Sequence, residues 1–221
     1  MSDKRQVTVQ SVGEDNAAGI DFLDFLFTVA ISVGLTPELL QVPWVTGLLS
    51  VDWYKTGRWP SANEAFSLGV YLLGFLNLTL SWFGYHASIK ARPLNYFSGY
   101  GMTRFVLDVL LVVMYGILLI QYRSFDVALS LLLIIYSIFV VWDYLKICEY
   151  WETEFKNKKG TLLQRYRREW VSVFAFGVVV LIALPYFVLQ MSRWFALALA
   201  ICITVFYRFN KNHPTWEKLL G

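Results

Sequence analysis

Charge is scarce in this chain: Asp, Glu, Lys and Arg make up 16% of its 221 residues, against roughly 25% in an ordinary soluble domain. Hydrophobic residues reach 57%. A water-soluble fold of this length has no interior large enough for so much apolar surface. Cysteine is nearly absent too. Cys148 near a helix end and Cys202 inside an apolar run suggest neither a disulfide framework nor a zinc knuckle. The two histidines, His86 and His213, stand too far apart to build a metal site with the carboxylates, and no Ser/His/Asp, phosphate-loop or paired-thiol pattern occurs. No enzyme, resident cofactor or metal is therefore expected. No stretch is long enough for a separate soluble domain, and the lack of an internal repeat gives no support to a transporter of two inverted halves.

What is present is a series of apolar runs of about 20 residues, the length that crosses a hydrocarbon core of roughly 30 Å at 1.5 Å per residue. Spans are read at Ile20–Leu40, Phe66–Ile89, Met102–Tyr122, Phe125–Leu145, Trp170–Leu189 and Trp194–Phe209. The expected fold is an all-α membrane protein of about six transmembrane helices. The polar first 19 residues lack the short apolar core and small-residue cleavage site of a secretory signal, so Ile20 is expected to open a retained first span. The chain then divides into an N-terminal segment (1–19), spans 1–4 (20–145), a basic linker (146–169), spans 5 and 6 (170–209) and a tail (210–221). The stretch Val42–Ala62 holds three of the nine tryptophans, as segments at the membrane interface do. Residues from Lys146 onward are expected to prolong helix 4, with Gly160 as a break before helix 5.

Orientation follows from the basic residues. With six crossings, one side receives Lys4 and Arg5, Lys90 and Arg92, the seven of the 146–168 loop, and Arg208, Lys211 and Lys218. That is 14 Lys and Arg against four (Lys55, Arg58, Arg123, Arg193), with Arg104 inside the third span. Both termini are expected in the cytoplasm. A basic cytoplasmic loop accounts for the net charge of +3, so no nucleic-acid partner is expected.

Polar groups within spans are costly and point to function by default. Span 1 carries Asp21 and Asp24, span 2 carries Asn77 and His86, and span 3 carries Arg104 and Asp108. Arg104 and Asp108 are spaced i, i+4 and share a helix face, where they either only fix packing or take part in function. His86 reads as a hydrogen-bonded packing residue or as a proton carrier. Beyond Asp24, Val29, Ser32, Val33 and Thr36 fall on one stripe. Close helix packing through small residues is the plainer reading; a hydrophobic constriction formed by several copies is the sharper one.

The string Phe22-Leu23-Asp24-Phe25-Leu26-Phe27-Thr28-Val29-Ala30-Ile31-Ser32 resembles the first-helix signature of the transmembrane protein 175 family of potassium channels, Phe-Ser-Asp followed by a small and aliphatic run. Span 2, Tyr71-x-x-Gly74-Phe75-x-x-Leu78-x-x-Ser81-Trp82-x-x-Tyr85-His86, is similar to the family's second helix and keeps its Trp-x-x-x-His spacing. Leu107-Asp108-Val109-Leu110-Leu111 resembles its Leu-Asn-Leu-Leu run. The likeness covers about half the chain. Three positions depart from it: Ala18 stands where the family has Arg, Leu23 where it has Ser, and Tyr85 where it has the first of two His. The resemblance implies an interhelical polar network of Asp24, Trp82, His86, Arg104 and Asp108, with Arg104 as the substitute positive charge. It also implies a tetramer whose first helices line a pore narrowed at Val29 and Ser32, with Val33 added by spacing, and a home in the bacterial plasma (inner) membrane.

The leading expectation is therefore an oligomeric, homotetrameric cation channel that passes K⁺ across the lipid bilayer. A poorly hydrated cation crosses an apolar constriction more readily than a strongly hydrated one, which favours K⁺ over Na⁺. The alternatives are a proton-coupled transporter or proton channel using the buried Asp, His and Arg, and a non-conducting sensor or anchor that recruits a cytoplasmic partner through 146–168.

Overall fold

The computed structural model describes residues 21–32, 61–91, 99–150 and 170–212. The expectations for the N-terminal segment, Val33 and the rest of the first span, residues 42–60, the 151–169 linker and the end of the tail lie outside these residues. Among the described residues there is no strand and there are six helices: α1 (21–32), α2 (Ala62–Ala91), α3 (Gly99–Ile120), α4 (Phe125–Tyr150), α5 (Trp170–Leu189) and α6 (Arg193–Asn212). Five of them, α2 to α6, are long and apolar enough to cross a membrane. The described part of α1 is shorter, about 18 Å of helix at 1.5 Å per residue.

The helices begin where local chemistry starts them, which is not always where the apolar runs start. Helix α2 opens four residues before Phe66 because Ser61 and Glu64 form a capping box. The Ser61 amide donates to Glu64 Oε2 at 2.8 Å and the Glu64 amide donates to Ser61 Oγ at 3.3 Å, so two end donors are satisfied. At its other end α4 continues past Lys146 to Tyr150, in line with the expected extension. Helix α5 ends at Leu189 because the next residue, Gln190, has a φ of 54° in the left-handed region, and the Met191 amide closes over it onto the Pro185 carbonyl at 3.2 Å.

Short turns make α3–α4 and α5–α6 antiparallel hairpins. Cross-contacts give the other directions. Asn77 and Ser81 of α2 meet Thr204 and Arg208 of α6, so these two run parallel. Tyr136 and Asp143 of α4 meet Thr204 and Lys211, so α4 runs parallel to α6 as well. Helix α1 lies antiparallel to α2, with Asp24 beside His86 and Phe27 beside Tyr85.

In lipid the hydrophobic effect does not press apolar helices together, so close approach through small residues and polar contacts must do it. Ala128, Ala175, Ala196 and Ala200 are fully buried at the helix contacts. Gly74 is as tight: a Cβ there would lie 3.2 Å from Leu119, 3.3 Å from Leu118 and 3.5 Å from the Leu119 backbone nitrogen. A Cβ at Gly177 on α5 would meet nothing within 4 Å. Gly74→Val should therefore lower stability by about 1–3 kcal/mol, as overpacking does, while Gly177→Ala should leave it unchanged or raise it. Thermal unfolding in detergent distinguishes the two, and equal midpoints for both variants would refute the tight α2–α3 contact.

Candidate functional site

Helix α1 is fastened to α2 by its single inward carboxylate. The Trp82 indole donates to Asp24 Oδ1 at 3.0 Å, and His86 Nε2 lies 3.2 Å from Asp24 Oδ2. His86 Nδ1 faces the Trp82 carbonyl at 3.1 Å. Both ring nitrogens thus lie beside oxygen atoms, one on α1 and one on its own helix. Asp24 and His86 remain about a third exposed, which weakens their attraction relative to a dry pair. Next to this polar group, Leu23 is fully buried against Tyr85, with Leu26, Phe105 and Val109 around them. Two of the departures from the channel motif therefore touch each other, an apolar contact standing where the motif has two polar residues.

Arg104 and Asp108 sit on the α4 side of α3. The Arg104 guanidinium is buried and lies 4.4 Å over the Trp142 ring, a stacking that suits a desolvated guanidinium. Asp108 follows one turn later against the same tryptophan, and Lys146 approaches that ring from its own helix at 5.6 Å. The five residues expected to form one network thus gather in two groups, Asp24–Trp82–His86 facing α1 and Arg104–Asp108 facing Trp142.

The remaining face of α1 is uncovered. Phe25, Thr28, Val29 and Ser32 are exposed, whereas Leu23, Phe27 and Ala30 are buried against α2 and α3. The hydroxyls on that face satisfy themselves within the helix: Thr28 donates to the Asp24 carbonyl and Ser32 to the Thr28 carbonyl, both at 2.8 Å. A polar side chain bonded in this way can face lipid or a partner without an orphaned donor.

No model of a known protein family, no curated protein and no solved structure matches the chain. Among the described residues no group of three or more His, Cys, Asp and Glu side chains could hold a metal ion.

The most extensive polar cluster escaped sequence reasoning. Asp143 of α4, 4% exposed, pairs with Lys211 of α6 and accepts a hydrogen bond from Ser172 of α5. Ser172 lies 3.0 Å from the Tyr207 hydroxyl, and Lys211 also donates to Ser172 at 3.2 Å. One turn deeper the buried Arg208 donates to Ser81 and, at 3.1 Å, to Tyr115; Ser81 in turn donates to Tyr115 at 2.6 Å. The Arg208 guanidinium is sandwiched by Phe139 and Tyr207 at 4.5 and 5.1 Å. Deeper again, Thr204 accepts from Asn77 and Tyr136, both at 3.3 Å. By position Arg208 and Lys211 read as basic residues at the edge of a cytoplasmic tail, but α6 runs on to Asn212 and turns both inward. The available signal was Asp143, the one acid of the 125–145 run beyond the first turn, together with the i, i+3 spacing of Arg208 and Lys211.

Removing one member of a buried pair leaves an uncompensated charge, at a cost of about 3–5 kcal/mol, whereas removing both can be nearly neutral. Lys211→Met should therefore destabilise the fold strongly, and Asp143→Asn combined with Lys211→Met should recover most of the loss. Thermal midpoints of the two single variants and the double variant in detergent measure this; additive losses would show that the two side chains are not coupled.

Proposed function

We propose that this chain is one subunit of an oligomeric cation channel, permeable to K⁺, with α1 as the pore wall. The observation that carries the reading is the two-sidedness of α1. Its inner face is clamped by Asp24, Leu23 and Phe27, while the face bearing Val29 and Ser32 is exposed, with no other described helix packed on it. In a closed cyclic assembly, identical free faces meet around one axis and make a ring. A ring of Val29 and Ser32 side chains is narrow and nearly apolar, which penalises the more strongly hydrated cation. The motif in α1–α3 supports four subunits and the bacterial plasma membrane. A proton-coupled transporter is the second reading, favoured by the gathering of Asp24, His86, Arg104 and Asp108 at one end of the bundle.

Both termini are cytoplasmic in this proposal. Setting aside the inward-turned Arg208 and Lys211, the basic asymmetry is still 12 against four. A tag at either terminus should be protected from a membrane-impermeant reagent applied to intact cells, and labelling from outside would reverse the orientation.

The pore reading has a direct test in proteoliposomes carrying opposed K⁺ gradients. Val29→Trp should abolish K⁺ flux, and Val29→Ala should widen the ring and reduce discrimination between K⁺ and Na⁺. In a proton carrier both changes should matter less than Asp24→Asn, because protons follow titratable groups rather than bore, and a protonophore should alter the flux. A Val29→Trp protein that folds, assembles and conducts like the parent would remove α1 from the pore.

A further inference from the structure

The α4–α5–α6 cluster contains three polar atoms that are buried without a hydrogen-bond partner: Asp143 Oδ1, Arg208 Nε and Asn77 Oδ1. Their residues are 4%, 6% and 0% exposed. An orphaned buried polar atom costs about 1–3 kcal/mol in protein and more when charged, and lipid offers nothing to relieve it. The three are not scattered. They lie beside residues 211, 208 and 204 of α6, whose spacing of three to four stacks them along one face at successive turns of about 5 Å. Hydroxyls of Ser172, Tyr207, Ser81, Tyr115, Thr204 and Tyr136 line the same track.

The chemistry of the orphans selects the occupant. Two are acceptors and one is a donor. A small anion would satisfy Arg208 Nε but neither oxygen, and a metal cation would suit the oxygens but meet the charges of Arg208 and Lys211. Water alone both donates and accepts, and buried water characteristically bridges such groups. We infer that each protomer encloses a file of water along α6, a hydrated half-channel that starts at Lys211 and ends at Asn77. Lys211, 12% exposed, is the member of the track nearest to solvent. Beyond Asn77 the path is stopped by Leu73, Leu118, Leu119 and Leu197, all essentially fully buried. Such a file hydrates the Asp143–Lys211 end of the track from one side of the bundle, while the apolar plug closes the other. The inference does not depend on α1 lining a pore.

Radiolytic hydroxyl labelling of the unmodified full chain tests it, because radicals generated from bound water modify the side chains next to that water. After correction for intrinsic reactivity, Tyr136 and Tyr207 should label at least several-fold faster than Leu129 and Phe27, which are equally buried but among apolar neighbours. Rates no higher than those of Leu129 and Phe27 would mean a dry track and overturn the inference. A second variant locates the deep end: in Asn77→Leu with Thr204→Val, Tyr136 should fall to the rate of Leu129 while Tyr207 stays fast. Rapid labelling of Tyr136 in that variant would show that its water does not come along this track, and would also overturn the half-channel.

Discussion

A charged side chain inside a bilayer persists only where other side chains take over the work of water, and the arrangement of this protein follows from that constraint. Most of the charges within the described spans lie toward the same end of the bundle, whereas Glu64, Asp126 and Arg193 stand in the first turns of α2, α4 and α6 at the opposite end. Asp24 and His86, Arg104 and Asp108, Asp143 and Lys211, and Arg208 all occupy the half where α1 and α3 begin and α2, α4 and α6 finish. The other half is held by apolar and aromatic contacts, such as Phe66 against Phe125 and Trp194. One half is thus packed mainly through apolar and aromatic side chains, and the other is held by a buried polar network whose members depend on one another.

The two parts of the protomer use this polar half differently. Helix α1 is attached through a partly exposed pair, Asp24 and His86, reinforced by one indole and a small apolar contact. Attraction between partly exposed groups is modest and sensitive to screening, so α1 is the element whose position is most easily biased. Helices α2 to α6 are joined by dry contacts and by the Asp143–Lys211 and Arg208 groups, which hold five helices in register. In the proposed channel, the pore wall is this lightly attached helix and the other five form a scaffold behind it. A transporter would draw on the same contrast, with the polar half of the scaffold exchanging protons.

The membrane fold was legible in the chain because its cause is local. Runs such as Phe125–Leu145 and Trp170–Leu189 are too long and too apolar for any other environment, and each satisfies its own backbone as a helix. The boundaries were less legible where they depend on side chains outside the run, as with Ser61 and Glu64 at the start of α2. The grouping of Asp24, Trp82 and His86 comes from the resemblance to the channel family, not from periodicity, and the same resemblance adds Arg104 and Asp108, which turn instead toward Trp142.

What the sequence by itself determined was therefore a set of apolar helices and a basic asymmetry, both carried by local composition along the chain. The tertiary structure alone decided which helices touch, which face of α1 the other described helices leave exposed, and that Arg208 and Lys211 turn inward to meet Ser81 and Asp143. Those pairs join residues 127 and 68 positions apart. Local periodicity carries no record of contacts at that range, because they are set by how the helices pack against one another.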